Sequence, residues 1–254
     1  ASVFLLAFNP SLILLSRTAL DANVALLFSV LAIWFYWRGL EKRKIFWILG
    51  AGFFAVLAIF TYQATKIFLP LMFLAMSFIY RRWLTALIPL ILLLIASQNM
   101  ARFTTLSIFQ EEALVKVSIE RLTFNQNLGL PDFNFFANRR LLFGEEGILR
   151  YLDNFNPSFL FAPKIHSSLY NLPNFGYFHL LELVLFGVGM YVIRQELEAK
   201  KQQVLLAWFL LSAVPASLLS FVPQITRILP IIPVIIIIAG FGCLRLWRKA
   251  KVFI

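Results

Sequence analysis

Residues 45–65 read IFWILGAGFFAVLAIFTYQAT, without one charged side chain. A helix needs about 20 apolar residues to cross a bilayer core. In hydrocarbon, a helix also satisfies each backbone N–H and C=O within its own segment. The stretch therefore reads as a membrane-spanning helix, bounded by Lys42, Arg43 and Lys44 before it and by Lys66 after it. Similar uncharged runs cover 1–16, 22–37, 67–80, 83–101, 202–226 and 228–244. Over all 254 residues, 61% are hydrophobic and 14% charged, against about 45–50% and 25% in a soluble domain. The expected fold class is all-α: a polytopic transmembrane helical bundle of about eight spans, at 1–16, 20–37, 45–62, 66–80, 83–99, 177–193, 203–220 and 227–245. Five spans fall in 1–99 and three in 177–254, joined by a long loop over 100–176. Pro10 and Pro70 place a kink or a partial span in the first and fourth.

A net charge of +11 would point to nucleic acid in a soluble protein, but here the cations sort by loop. Arg38, Lys42, Arg43, Lys44, Arg81, Arg82, Arg194, Lys200, Lys201, Arg245, Arg248, Lys249 and Lys251 fall on one side when the short loops alternate. Outside the long loop, the other side keeps only Arg17, Lys66 and Arg227. The positive-inside rule makes the rich side cytoplasmic. The reading is a multi-pass protein of the plasma (inner) membrane with both ends of the chain inside and no nucleic-acid partner. Loop 100–176 is then extracytoplasmic; its seven cations are tolerated because long loops translocate largely regardless of charge. Within it, 108–124 (IFQEEALVKVSIERLTF) and 141–153 alternate apolar and charged positions at helical spacing, and Phe133, Phe135, Phe136, Phe155, Phe159 and Phe161 add an apolar face. Interfacial helices lying on the outer membrane surface are expected there. The lone cysteine, Cys243, excludes an intramolecular disulfide. The opening ASVF has neither Met nor a basic region, so the first run does not read as a signal peptide; the expectation is a fragment that lacks an N-terminal part.

Arg17, Lys66 and Arg227 sit at the outer ends of spans, where the orientation bias disfavours cations. Together they would suit a phosphate or diphosphate, through Arg forks and a Lys point charge; snorkelling to ordinary lipid phosphates is the plainer alternative. Asp21, four residues after Arg17, shares its helix face and either pairs with it structurally or contacts a sugar hydroxyl. Tyr62 and Gln63 add donors near Lys66, or anchor the interface as Tyr commonly does. Glu182 is the only acid in its span and stands three residues after His179. An intramembrane acid is a functional candidate by default; a hydrogen bond to a neighbouring helix is the alternative. Two histidines exclude a His-rich metal site, so no metal ligands are assigned and no cofactor is expected. Glu111, Glu112, Glu145, Glu146 and Asp153 could hold a divalent cation but read better as solvated helix faces. No GxGxxG, Walker loop, GxSxG or HExxH occurs, so soluble nucleotide-dependent and common hydrolase mechanisms lack support.

Three stretches together resemble the lipid-linked-sugar-dependent glycosyltransferases of the GT-C superfamily, which includes protein O-mannosyltransferases and the aminoarabinose transferase of lipid A. Residues 9–21 (NPSLILLSRTALD) are similar to the family's Pro, Ser-Arg and acid one turn on; 151–161 (YLDNFNPSFLF), followed by Gly176, resemble the loop's end; 223–233 (PQITRILPIIP) resemble the entry to its late helix. Gln224 stands where many relatives have His. The resemblance implies sugar transfer from a polyprenyl-phosphate carrier to a lipid, glycan or protein acceptor on the extracytoplasmic face. It places Arg17 and Arg227 near the carrier phosphate and Asp21 at the acid of the Ser-Arg motif. Lys66, Tyr62, Gln63, His179 and Glu182 rest on their placement instead. In that family the catalytic carboxylate usually lies in the first outer loop, so the resemblance implies a general base upstream of Ala1, the catalytic residue itself being unknown, and an inactive fragment. A lipid-linked oligosaccharide flippase or transporter, or a surface-polysaccharide polymerase or ligase, would use the same cations.

Overall fold

The computed structural model describes residues 2–7, 9, 12, 13, 16, 21–97, 115, 116, 119, 120, 123, 124, 127, 139–162, 176–218 and 225–250. Its regular elements are all helical among these: α1 (Ser2–Ala7), α2 (Asp21–Lys42), α3 (Ile45–Thr61), α4 (Thr65–Ile79), a 3-10 turn at Trp83–Ala86, α5 (Leu87–Ser97), α6 (Arg139–Asp153), α7 (Pro157–Phe161), α8 (Leu180–Glu196), α9 (Ala199–Leu211), α10 (Val214–Ser217) and α11 (Ile231–Ala250). The all-α class is as expected. Among the described residues, α2 and α11 are long and apolar enough to cross a membrane, while α3 and α4 are shorter apolar helices. Several expected spans differ from their apolar runs at identifiable breaks. The run 203–220 divides at Ser212 and Ala213, and Pro215 opens α10, since proline suits a first helical turn but not a helix interior. The run 83–99 begins as the 3-10 turn, and 227–245 enters through turns at 225–230 before α11 continues to Ala250. In the long loop, the expected helix over 141–153 is α6; the one over 108–124 lies mostly outside the described residues.

The α2–α3 pair shows how the chain packs. Ala51, Ala55 and Ala58 of α3 are fully buried, as are Ala25, Ser29 and Ala32 of α2, and the two helices pack on each other. The outward face of α3 carries Phe46, Leu49, Phe53 and Phe60, each more than 60% exposed. Large side chains share the interface: Phe35 of α2 meets Trp47 and Phe54 of α3, each at 5.3 Å, and Phe28 meets Phe54 at 6.4 Å, while the buried alanines keep the rest of the contact small. Small interfaces let backbones approach closely, as in membrane helix pairs. The α8–α11 pair is tighter still: a Cβ at Gly189 would fall on the Ile238 carbonyl, and one at Gly242 on the Leu185 carbonyl. α4 packs on α2, α5 and α9, and α9 also packs on α11.

One end of the bundle gathers the short charged turns. Lys200 lies 5.6 Å from the centre of the Tyr80 ring, the charges of Glu41 and Glu198 act on the Tyr80 hydroxyl, and Arg245 pairs with Glu196 at 3.1 Å. The C-terminal ends of α2, α4, α8 and α11 therefore meet the start of α9. Beneath this rim, the Tyr36 ring stacks on Phe73 at 4.2 Å, and its hydroxyl lies 2.6 Å from Ser77 Oγ and donates to the Thr85 carbonyl at 3.1 Å. α4 ends with Arg81 in the left-handed region (φ 54°), the Arg82 N–H donating to the Ser77 carbonyl and the Arg81 N–H to Phe78. Glycine usually fills that position; arginine there places a cation at the helix C-terminus, where the dipole favours it.

The crossing of α8 and α11 yields a paired test. Gly189→Ala should destabilise the fold by about 1–3 kcal/mol through overpacking. Gly187 has open space where its Cβ would be, so Gly187→Ala should be neutral or stabilising by up to about 1 kcal/mol. Thermal unfolding of the two variants in one detergent distinguishes them, and equal Tm values would contradict the close crossing.

Candidate functional site

At the end of the bundle opposite the charged rim, α3 stops at Thr61 because Tyr62 turns extended (φ −145°, ψ 137°). The Thr65 hydroxyl lies 2.6 Å from the Tyr62 carbonyl and 2.7 Å from that of Ala58, and the Lys66 N–H donates to the Gln63 carbonyl at 3.1 Å. Tyr62, Gln63 and Lys66 are thus held in a single stitched turn that opens α4. The Lys66 side chain is buried, at 3% exposure, whereas lysine is almost never fully buried unless paired. In the same turn, Gln63 Oε1 is buried and receives no hydrogen bond among the described residues. Pro70, inside α4, withdraws the N–H that would bond the Lys66 carbonyl in a regular helix.

Arg227 lies half-buried in the turns before α11, between the fully buried Ile225 and Ile228. The Trp208 indole N–H donates to the Pro230 carbonyl at 2.9 Å, pinning this turn to α9. Because α9 packs on both α4 and α11 and runs against them, the turns that bear Lys66 and Arg227 share one end of the bundle. Asp21 is exposed at the first position of α2, at the same end, where an acid complements the helix N-terminus. Arg17 and its expected pairing with Asp21 lie outside the described residues.

His179 and Glu182 form a second cluster. His179 is exposed and precedes α8. Glu182, 2% exposed, reaches back to accept the His179 backbone N–H at 2.8 Å, which satisfies a donor the helix leaves open. The Asn9 side chain also bonds Glu182 and lies 3.4 Å from the Tyr177 carbonyl. Asn9 is fully buried. Sequence reasoning quoted it and assigned it no role, although an amide in an otherwise apolar run is itself a signal.

The long loop is tied to the bundle by aromatic side chains. Phe155 meets Phe209 at 5.0 Å, Phe159 meets Tyr177 at 5.2 Å and Phe161 meets Phe178 at 5.6 Å. The Phe178 N–H donates to the Leu160 carbonyl at 3.0 Å, and a Cβ at Gly176 would crowd the Phe161 backbone. Burial pushes the Tyr151 hydroxyl above the usual phenol range, so it stays protonated and donates to the Leu210 carbonyl at 3.1 Å. α6 leaves Ile148, Leu149 and Leu152 exposed. Of the loop acids, Glu146 pairs with Arg150 at 2.7 Å, Glu145 and Asp153 are exposed, and Glu111 and Glu112 lie outside the described residues. No group of three or more His, Cys, Asp or Glu is placed to hold a metal ion among the described residues.

Comparison with protein-family profiles, with curated proteins and with solved structures finds no match to this chain. Glu182→Ala should cost about 1–2 kcal/mol of stability by removing the cap of α8. Glu182→Gln keeps an acceptor and should cost less. Chemical unfolding in detergent checks the order of the three proteins, and equal stability of all three would remove the capping role.

Proposed function

We propose that the chain is the membrane-embedded body of a glycosyltransferase, which moves a sugar from a polyprenyl-phosphate carrier to a lipid, glycan or protein acceptor. The observation that carries the reading is the stitched turn with its buried Lys66 and the acceptor oxygen of Gln63, at the opposite end of the bundle from the charged rim. Lys66 and Arg227 take up the carrier phosphate, and the Gln63 oxygen accepts a hydrogen bond from a sugar hydroxyl. As the acceptor bonds the anomeric carbon, the carbon–oxygen bond to phosphate breaks and the lipid phosphate leaves with its negative charge growing. Cations fixed where charge develops lower that barrier. The acceptor's proton passes to a carboxylate base outside the residues assigned above.

The same features support one arrangement in the membrane. The charged rim faces the cytoplasm, the Lys66 end faces out, the remaining apolar helices complete a multi-pass bundle, and α6 lies on the outer surface with Ile148, Leu149 and Leu152 in the headgroup layer. The exposed apolar face of α3, with Phe46, Leu49, Phe53 and Phe60 turned outward, supports a lipid surround.

Lys66→Ala and Arg227→Ala should each lower transfer from a labelled polyprenyl-phosphate sugar by about 100-fold, the usual consequence of deleting one charge-stabilising donor. Arg248→Ala, on the other rim, should leave it unchanged. The rates are measured with the full-length protein in vesicles, and full activity in both site variants would sink the assignment. For the topology, single cysteines are introduced into a Cys243→Ser background. An impermeant thiol reagent applied from outside should label positions in 100–176 and spare 39–44; the reverse pattern would overturn the orientation.

A further inference from the structure

Between α8 and α9 runs an apolar groove of about 490 Å³. Phe186 and Met190 of α8 line one wall, and Leu205, Leu206 and Phe209 of α9 the other. Its cytoplasmic end on the proposed reading is polar, formed by Arg194 with Gln203 and Ala199. The basic residues around that end differ in one respect. Arg245 pairs with Glu196 and Lys201 with Glu198, each at 3.1 Å, and Lys200 sits against the Tyr80 ring. The guanidinium of Arg194, the cation that lines the groove, has no acid beside it among the described residues. Next to it, Ala199 belongs to the first turn of α9, where backbone N–H groups point out of the helix and the dipole is positive.

We infer that this groove holds one anionic phospholipid of the cytoplasmic leaflet, with its phosphate between Arg194 and the first turn of α9 and an acyl chain along Leu206 and Phe209. The charge match selects the headgroup, since a guanidinium takes a phosphate through two parallel hydrogen bonds. The length match selects the chain. From Ala199 to Leu210, both in the lining, the helix rises about 16 Å at 1.5 Å per residue, close to the roughly 15 Å of hydrocarbon in one leaflet. The inference rests on the membrane reading proposed above but is independent of the sugar-transfer chemistry, because the groove opens at the opposite end from Lys66.

The test reconstitutes the full chain in vesicles of equal parts phosphatidylcholine and phosphatidylglycerol, then counts retained lipid by native mass spectrometry after release into detergent. The wild-type protein should retain phosphatidylglycerol over phosphatidylcholine by about tenfold, a single charge-assisted contact. Arg194→Ala should bring that ratio to about one, while Arg248→Ala, a cation of the same rim outside the groove, should keep it. Leu206→Trp, which fills the groove and leaves the charge, should lower retention of both lipids. Equal retention of the two lipids by the wild type overturns the proposal, as do equal losses from Arg194→Ala and Arg248→Ala or full retention in Leu206→Trp. A chain released into the aqueous fraction by alkaline extraction sinks the membrane reading itself; a chain that stays in the bilayer without lipid preference sinks the groove alone.

Discussion

Close backbone contact through small residues is the constraint on which the rest of this fold depends. α8 and α11 cross where Gly189 and Gly242 leave no room for a side chain, and α2 packs on α3 with Ala51, Ala55 and Ala58 fully buried. Packing of this kind works beside a core that also encloses large side chains, among them Phe68, Met72 and Phe73 of α4, all fully buried. It gains from dispersion between closely matched surfaces, which is small for each atom pair and large in sum.

The crossings also set the electrostatics. Helices that pack at such short range keep their turns in register, so charged turns far apart in the chain meet at one end: Tyr80, Lys200, Glu196 and Arg245 come from four separate helix ends or turns. The same register leaves the turns of Lys66 and Arg227 at the other end, each held by backbone carbonyl contacts, those of Thr65 and of Trp208. A buried cation needs such support, since an ammonium taken out of water must find its compensation within the protein. The two ends are therefore chemically unlike, one a rim of solvated pairs and the other a few polar groups enclosed by apolar helices.

Much of the helical layout was legible in the sequence. The uncharged run at 45–65 marked α3 to within a few residues of its ends, and the amphipathic pattern at 141–153 marked α6, since both periods are local properties of the chain. Helix ends were less legible. The run 203–220 showed no charge to interrupt it, yet the chain breaks at Ser212 and Ala213 ahead of Pro215; in a hydropathy pattern a proline counts as one residue among many. At the candidate site, Lys66 and Arg227 stood out because they opposed the charge bias. Asn9 did not, because an amide carries no net charge and its value lies wholly in what it bonds.

Composition and the order of charged residues by themselves determined the all-α class and the rough places of the apolar helices. These are sums over the chain, and no partner in space is needed to read them. Only the tertiary structure decided that Glu182 caps its own helix, that the side-chain oxygen of Gln63 is buried, and that Arg194 alone among its basic neighbours faces an apolar groove. Hydrogen bonds and ion pairs act over about 3 Å, and whether two groups come that close depends on helix crossings that glycines 53 positions apart, Gly189 and Gly242, make together.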